Sequence, residues 1–153
     1  LPTAAREGQT EMVQLLVLKG ADKDVIDNFG YTPLYLAVLH SRVAAVLALL
    51  HAGADISLRC GISKRSVLHV AAEEKHVDIM RAVVERGANV EAVDDDQNTP
   101  LHLAAFFNRV EAIDLLLEAG ANIEARDESD STPLHCAVLE CHLETMSALL
   151  KQG

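Results

Sequence analysis

A unit of about 33 residues repeats along the whole chain, and this period limits the folds that the chain can adopt. Closing glycines follow one another at intervals of 33, 34, 33 and 33 residues, at Gly20, Gly53, Gly87, Gly120 and Gly153. Segments related to Thr-Pro-Leu-His occupy residues 31–35, 65–69, 98–102 and 131–135, and another copy begins inside the motif at residues 1–5. Such units stack into solenoids, because a single unit cannot bury its apolar face alone.

Each unit predicts two short helices. In the fourth copy, Thr99 offers a hydroxyl group to free backbone N–H groups, and the φ angle of Pro100 suits the first helical position. Apolar residues then recur at i, i+3 and i+4, which indicates a helix with one buried face. They are Leu101, Ala104 and Ala105 in the first helix, and Ile113, Leu116 and Leu117 in the second. Gly120 predicts the end of the second helix, and the turn-rich, acidic stretch after it predicts a projecting β-hairpin.

This pattern resembles the ankyrin repeat over the whole chain. The resemblance implies an all-α solenoid of stacked helix-turn-helix pairs with short β-hairpin fingers. It also implies a concave surface, built from the fingers and the first helices, that binds proteins. We therefore expect a single domain over residues 1–153 that is part of a longer protein. Its repeats are expected at residues 1–26, 27–59, 60–93, 94–126 and 127–153, and the first and last are truncated.

Some positions depart from the family pattern. Val67 replaces the motif proline in the third repeat, and Tyr35 replaces the motif histidine in the second. Other residues stand where the family has glycine: Ser41, Lys75, Asn108 and Cys141 before the second helices, and Lys64, Gln97 and Asp130 in the fingers. These departures leave the finger conformations open without changing the predicted fold.

The repeated histidines predict structure rather than chemistry. His69, His102 and His135 recur at the repeat spacing, and the resemblance implies that each bonds near its helix start and links adjacent repeats. Within residues 135–142, the two cysteines would point about 140° apart on one helix, so no zinc site is expected. The sequence contains no phosphate-binding loop or metalloprotease motif. We expect no enzymatic activity, no cofactor and no small-molecule substrate.

The negative charge is concentrated in one part of the chain. The net charge is −10, and residues 91–130 contain eleven acidic and two basic side chains. Such a surface repels phosphate groups, so a nucleic-acid partner is not expected. Four carboxylates add to the aspartates that are common in the family at Asp94 and Asp127: Asp95, Asp96, Glu128 and Asp130. They predict either a solvated acidic edge or a docking strip for a basic partner.

The sequence also predicts where the protein resides. The longest apolar run, residues 43–50, is far shorter than the roughly 20 residues of a membrane span, so no membrane insertion is expected. Three cysteines form an odd set without a disulfide-framework spacing, and no signal peptide is visible. We therefore expect an intracellular protein, cytoplasmic or nuclear.

Four of the five aromatic residues fall at positions that line the binding surface of ankyrin proteins. Phe29 and Tyr31 lie at a finger tip, and Phe106 and Phe107 follow an alanine pair at the end of a first helix. Exposed aromatic rings there predict an interface, whereas rings folded back between repeats would only fill gaps. The predicted partner-binding residues are Phe29, Tyr31, Leu39, His40, Glu73, Glu74, Asp95, Asp96, Phe106, Phe107, Glu128, Leu139 and Glu140.

The predicted function is protein recognition through the concave face, with a partner whose surface is basic or mixed basic and apolar. One alternative is a targeting or autoinhibitory module within a larger enzyme, channel or receptor. A purely structural spacer is the other alternative. Sequence alone leaves these open, because a solenoid framework is shared by proteins with different surface specificities.

Overall fold

The computed structural model describes residues 1–152, so the predicted closing residue Gly153 lies outside the described part of the chain. Residues 1–152 form ten helices, paired in five repeats. They are α1 (Pro2–Arg6), α2 (Thr10–Leu18), α3 (Pro33–Leu39), α4 (Val43–His51), α5 (Val67–Glu73), α6 (Val77–Glu85), α7 (Pro100–Phe106), α8 (Val110–Glu118), α9 (Pro133–Leu139) and α10 (Leu143–Gln152). Each odd-numbered helix packs against the next odd-numbered one, and the even-numbered helices pack likewise. The predicted helical solenoid is confirmed.

The core is a continuous seam of small and branched aliphatic side chains between the repeats. Leu34, Leu68 and Leu101 hold the same position in successive first helices, and all three are fully buried. A buried leucine contributes about 1.5–3 kcal/mol through the hydrophobic effect. Alanines at a second repeated position are also buried and allow neighbouring helices to approach closely: Ala4, Ala37, Ala71, Ala104 and Ala137. The seam is therefore filled without any tryptophan.

The motif histidines join helix capping to repeat stacking, as predicted. At the start of α7, the Nδ1 atom of His102 accepts the backbone N–H of Thr99 at 3.2 Å. The opposite ring nitrogen, Nε2, donates to the backbone carbonyl of Ser131 in the next repeat at 3.1 Å. His69 makes the same pair of contacts one repeat earlier. Each of these rings is therefore held as the neutral Nε2–H tautomer, because Nδ1 must accept a hydrogen bond.

The finger turns are closed chiefly by aspartate side chains. We number each finger by the repeat that it begins. In the fourth finger, at residues 94–98, Asp94 Oδ1 accepts the backbone N–H groups of Asp96 at 3.1 Å and Asn98 at 2.9 Å. Asp27 and Asp127 close their turns in the same way. The carboxylate thus takes the N–H that would otherwise complete a β-bridge. Within residues 1–152 the predicted hairpins are tight turns, and the only β-bridge lies in the third finger, where a cysteine replaces the aspartate: Cys60 pairs with Arg65.

The residues that replace family glycines still take the glycine conformation at all but one position. Ser41, Lys64, Gln97, Asn108, Asp130 and Cys141 have φ angles between 51° and 61°. Lys75 differs, because Glu74 at the end of α5 is extended, with φ −92° and ψ 161°. The finger turns therefore tolerate the departures, and only the third repeat leaves its first helix by another route.

The junction between the second and third repeats is built differently from the others. Elsewhere a side chain at the start of a second helix binds a carbonyl of the preceding repeat, as Arg109 Nε does with Glu73 at 2.7 Å and His142 Nε2 with Phe106 at 2.9 Å. His76, at the matching position, forms no such bond within the described residues. Instead, Arg86 donates to the carbonyl of Leu50. This junction therefore depends more on contacts between second helices.

Left-handed backbone at a non-glycine residue gives a test of local strain. Cys141 is exposed at φ 57°, and Cys141→Gly should raise the free energy of unfolding by about 0.5–1 kcal/mol, because glycine has no Cβ to disfavour this conformation. Asn108→Gly is the matched control, since Asn108 Oδ1 also accepts the hydroxyl of buried Thr145 at 2.8 Å. That variant should gain nothing. Urea unfolding measures both, and equal effects would contradict this explanation.

The buried imidazoles predict a loss of stability on mild acidification. Burial lowers the pKa of His69 and of His102 below the usual value of 6.5. Above pH 6.5 both rings are neutral whether the chain is folded or unfolded, so their contribution is fully present. Below it, the unfolded chain binds protons that the folded chain excludes, and stability falls until the folded-state pKa is reached. Urea unfolding at pH 7.5 and 5.5 should show the loss. His102→Asn should make this loss smaller than in the unaltered chain.

Candidate protein-binding surface

The finger turns and the C-terminal ends of the first helices lie on one side of the repeats, which we call the finger face. One ion pair demonstrates this arrangement. Arg65 at the base of the third finger contacts Glu73 at the end of α5, with 3.1 Å between Nη1 and Oε2. The same guanidinium group also contacts Asp94 of the fourth finger at 3.4 Å. In this repeat, the base of the finger and the end of the first helix are therefore neighbours in space.

The aromatic pair at the end of α7 is divided between surface and interior. Phe106 is 42% exposed, whereas Phe107 is half-buried. Their rings meet edge to face with centroids 5.0 Å apart. This geometry is favourable for aromatic pairs and orients the outer ring from the inner one. Phe106 is therefore available to a partner, and Phe107 supports it from below.

The two aromatic residues of the second finger also differ. Phe29 is 77% exposed at the tip. Tyr31 is half-buried, and its ring stacks on that of Tyr35, with centroids 5.1 Å apart. It also lies against the third finger, where a Cβ atom added to Gly61 would be 2.8 Å from its ring. Tyr31 therefore contributes to packing between fingers, and Phe29 is the free aromatic ring.

Some predicted carboxylates are already occupied within the protein. Glu73 is half-buried in its ion pair with Arg65. Burial raises the pKa of Glu73, and the guanidinium group of Arg65 opposes that shift. Asp95 lies 3.4 Å from Arg59. By contrast, Asp96 and Glu128 are exposed and form no ion pair within residues 1–152. Among the predicted finger carboxylates, Asp96 and Glu128 are therefore the two that remain free to pair with a partner.

The remaining predicted residues are accessible to different extents. Leu139 at the end of α9 is 74% exposed, and its neighbour Glu140 is exposed as well. Leu39 and His40 are exposed at the end of α3. Glu74 is half-buried beside the irregular end of α5. The finger face thus presents apolar side chains in several repeats rather than at one point.

Sequence reasoning missed the most exposed apolar side chain of the finger face. Ile62, at the tip of the third finger, is 94% exposed. The 34-residue interval between Gly53 and Gly87, the only one longer than 33, was the available signal, because the additional residue lies in this finger. Ile26 was missed also and is exposed before the second finger. The exposed apolar surface around the fingers is therefore wider than the aromatic residues alone suggested.

The described residues offer no site for metal chemistry. Among residues 1–152, no three histidine, cysteine, aspartate or glutamate side chains are grouped so that they could hold a metal ion. The three cysteines are free thiols, of which Cys60 and Cys136 are buried and Cys141 is exposed. No helix in the described part of the chain has the length and apolar character needed to cross a membrane.

Comparison with known proteins identifies the family. The profile described as "Ankyrin repeats (3 copies)" matches residues 1–60 and 58–127, and the profile described as "Ankyrin repeat" matches residues 129–153. The chain belongs to the ankyrin-repeat family. Ankyrin repeats are protein–protein interaction modules.

Several curated proteins are similar over part of their length. Mouse inversin is 38% identical over 98 residues, which cover 63% of this chain and 9% of inversin. Human ankyrin repeat and SOCS box protein 3 is 32% identical over 100 residues, covering 63% of this chain and 19% of that protein. Rat cyclin-dependent kinase 4 inhibitor B is 33% identical over 94 residues, covering 61% of this chain and 72% of the inhibitor. The chain thus spans less than a fifth of the first two relatives.

Proposed function

We propose that this ankyrin-repeat chain binds a partner protein through the finger face and carries out no catalysis. The observation that supports this best is Phe106, a large aromatic side chain that is 42% exposed on a helix end. Of the four matching positions, two carry Arg6 and Glu73 and two carry Leu39 and Leu139, so the fold itself tolerates polar side chains there. An exposed ring forgoes part of the roughly 1.5–3 kcal/mol that burial provides, which favours a role in binding.

The partner surface is proposed to be basic, or mixed basic and apolar. The exposed apolar side chains Phe29, Phe106 and Leu139 lie on the same face as the unpaired carboxylates of Asp96 and Glu128. Complementary charge around an apolar contact accelerates association and excludes partners of the same charge. Nucleic acid is disfavoured for the same electrostatic reason.

The absence of catalysis is proposed from the way the titratable groups are used. His69 and His102 are the histidines with shifted pKa values, and such residues are otherwise candidates for acid–base chemistry. Both ring nitrogens of each are hydrogen-bonded to backbone groups or cap hydroxyls. No nitrogen is left to exchange a proton with a substrate.

The free thiols further support a reducing compartment, cytoplasmic or nuclear.

A second proposal is that the chain is a module of a larger protein, where it either recruits a partner to that protein or inhibits that protein's activity. It is favoured by the small share of inversin and of the SOCS box protein that the chain matches, 9% and 19%. Deleting the repeats from the parent protein distinguishes the two roles. An autoinhibitory module would raise the parent's activity when removed, whereas a recruiting module would lower only the activity directed at a bound partner.

Truncating the exposed ring tests the finger face. A partner recovered by affinity pull-down should bind Phe106→Ala at least about tenfold more weakly, as expected for an aromatic anchor near an interface centre. Leu47→Ala is the matched control, because Leu47 is 40% exposed on α4, away from the finger face. Calorimetry measures the affinity, and thermal melting shows that each variant is folded. Equal affinity of the two variants would place the binding surface elsewhere.

Reversing the free charges tests the electrostatic part. Asp96→Lys combined with Glu128→Lys should slow association and weaken its dependence on salt, because both carboxylates are exposed on finger tips. Glu111→Lys combined with Glu118→Lys makes the same change in net charge on α8 and serves as the control. Stopped-flow measurements at low and high salt compare them. If the control slows association equally, only the net charge matters.

A further inference from the structure

The finger tips change in chemical character along the array. The second and third tips carry apolar residues, with Phe29 and Ile62 among the most exposed large apolar side chains of the described residues. The fourth and fifth tips are acidic, with Asp96 and Glu128 exposed and free of ion pairs within residues 1–152. The finger face therefore has an apolar half and an acidic half.

Two of the three basic residues of the third finger, Arg59 and Arg65, are engaged at its base and do not neutralise the acidic tips, whereas Lys64 is exposed and forms no ion pair within residues 1–152. Arg59 Nε donates to the carbonyl of Lys64 at 2.7 Å, and its Nη2 lies 3.4 Å from Asp95. Arg65 contacts buried Asp94 and half-buried Glu73. These ion pairs lie at the bases of the fingers, and Asp96 and Glu128 at the tips take no part in them.

Backbone hydrogen bonds hold three of these tips in register. The N–H of Asp95 donates to the carbonyl of Ser63, next to Ile62, at 3.0 Å. The N–H of Glu128 donates to the carbonyl of Asp96 at 3.0 Å. The third, fourth and fifth fingers are thereby joined tip to tip. Such preorganisation lowers the entropic cost of binding a ligand that touches all three.

We propose that the finger tips bind one extended segment of a partner protein in a single direction. Apolar residues of the segment contact Phe29 and Ile62, and its lysine or arginine residues contact Asp96 and Glu128. This inference rests on the proposed protein-binding function and specifies the partner's chemistry. The chemistry of the bound segment is inferred from charge complementarity in the acidic half and from exposed apolar side chains in the apolar half.

The spacing of the fingers sets the spacing of the two clusters. Neighbouring packed helices lie about 8–10 Å apart, and an extended chain advances about 3.3 Å per residue, so about three residues pass each finger. The centres of the apolar and acidic halves are two fingers apart. The apolar and basic clusters of the bound segment should therefore be separated by about six residues.

A library of random 16-residue peptides displayed on phage provides the probe. Selection on the whole chain should enrich peptides that carry an apolar and a basic cluster about six residues apart, in one sequence order. A synthetic peptide from the selection should bind at least tenfold more weakly to Phe29→Ser combined with Ile62→Ser, and to Asp96→Lys combined with Glu128→Lys. Leu47→Ala is the control that should bind normally. A photoreactive benzoylphenylalanine at position 62 should crosslink to the apolar end, and one at position 128 to the basic end.

Other outcomes would overturn the proposal in distinguishable ways. Enriched peptides with both cluster orders, or with no common spacing, would contradict a single direction of binding. Enriched peptides that need Phe106 but not the finger tips would also contradict it and would leave the proposed function intact. Peptides whose binding is unchanged by the tip substitutions and by Phe106→Ala would contradict both this inference and the proposed function. If no peptide is enriched over a control selection on the variant with all four tips changed, the extended segment is excluded, and the pull-down partner tests the function separately.

Discussion

Contact between repeats is the constraint on which the rest of this structure depends. A helix pair such as α7 and α8 is too small to bury its own apolar face, so its leucines become core only when a neighbour covers them. The motif histidine extends this dependence to polar groups. His102 caps its own helix with one ring nitrogen and binds the next repeat with the other. Local helix formation and stacking are thereby coupled through a single side chain.

The same constraint explains why one junction is unusual. Tyr35 occupies the histidine position of the second repeat and stacks on Tyr31 instead of donating to the next finger through an imidazole. Burial raises the pKa of Tyr35 to about 12, so the phenol is neutral at physiological pH. His76 adds no bridge to the preceding repeat within the described residues. The junction depends on aromatic packing and on the bond from Arg86 to the carbonyl of Leu50, and it joins the two repeats whose fingers carry the apolar tips.

Much of the candidate surface was predictable, because the repeat assigns each residue a place on it. Phe29, Phe106 and Leu139 were assigned to the surface by repeat position, and each is exposed there. Other assignments were less informative. Tyr31 was expected beside Phe29, yet its ring packs between fingers. Ile62 was missed, because a repeat with one additional residue has no exact counterpart in its neighbours.

The sequence by itself determined the helices, their caps and the number of repeats, because these depend on groups a few residues apart. Thr99 and His102 form a cap at a separation of three, and Asp94 closes its turn within four residues. Only the tertiary structure decided which surface groups remain free. Arg65 reaches Asp94 across 29 residues, whereas Asp96 and Glu128, on finger tips like Asp95, form no ion pair within residues 1–152. The physical reason is that pairing of an exposed charge depends on distances across the stack, and the repeat pattern does not encode those distances.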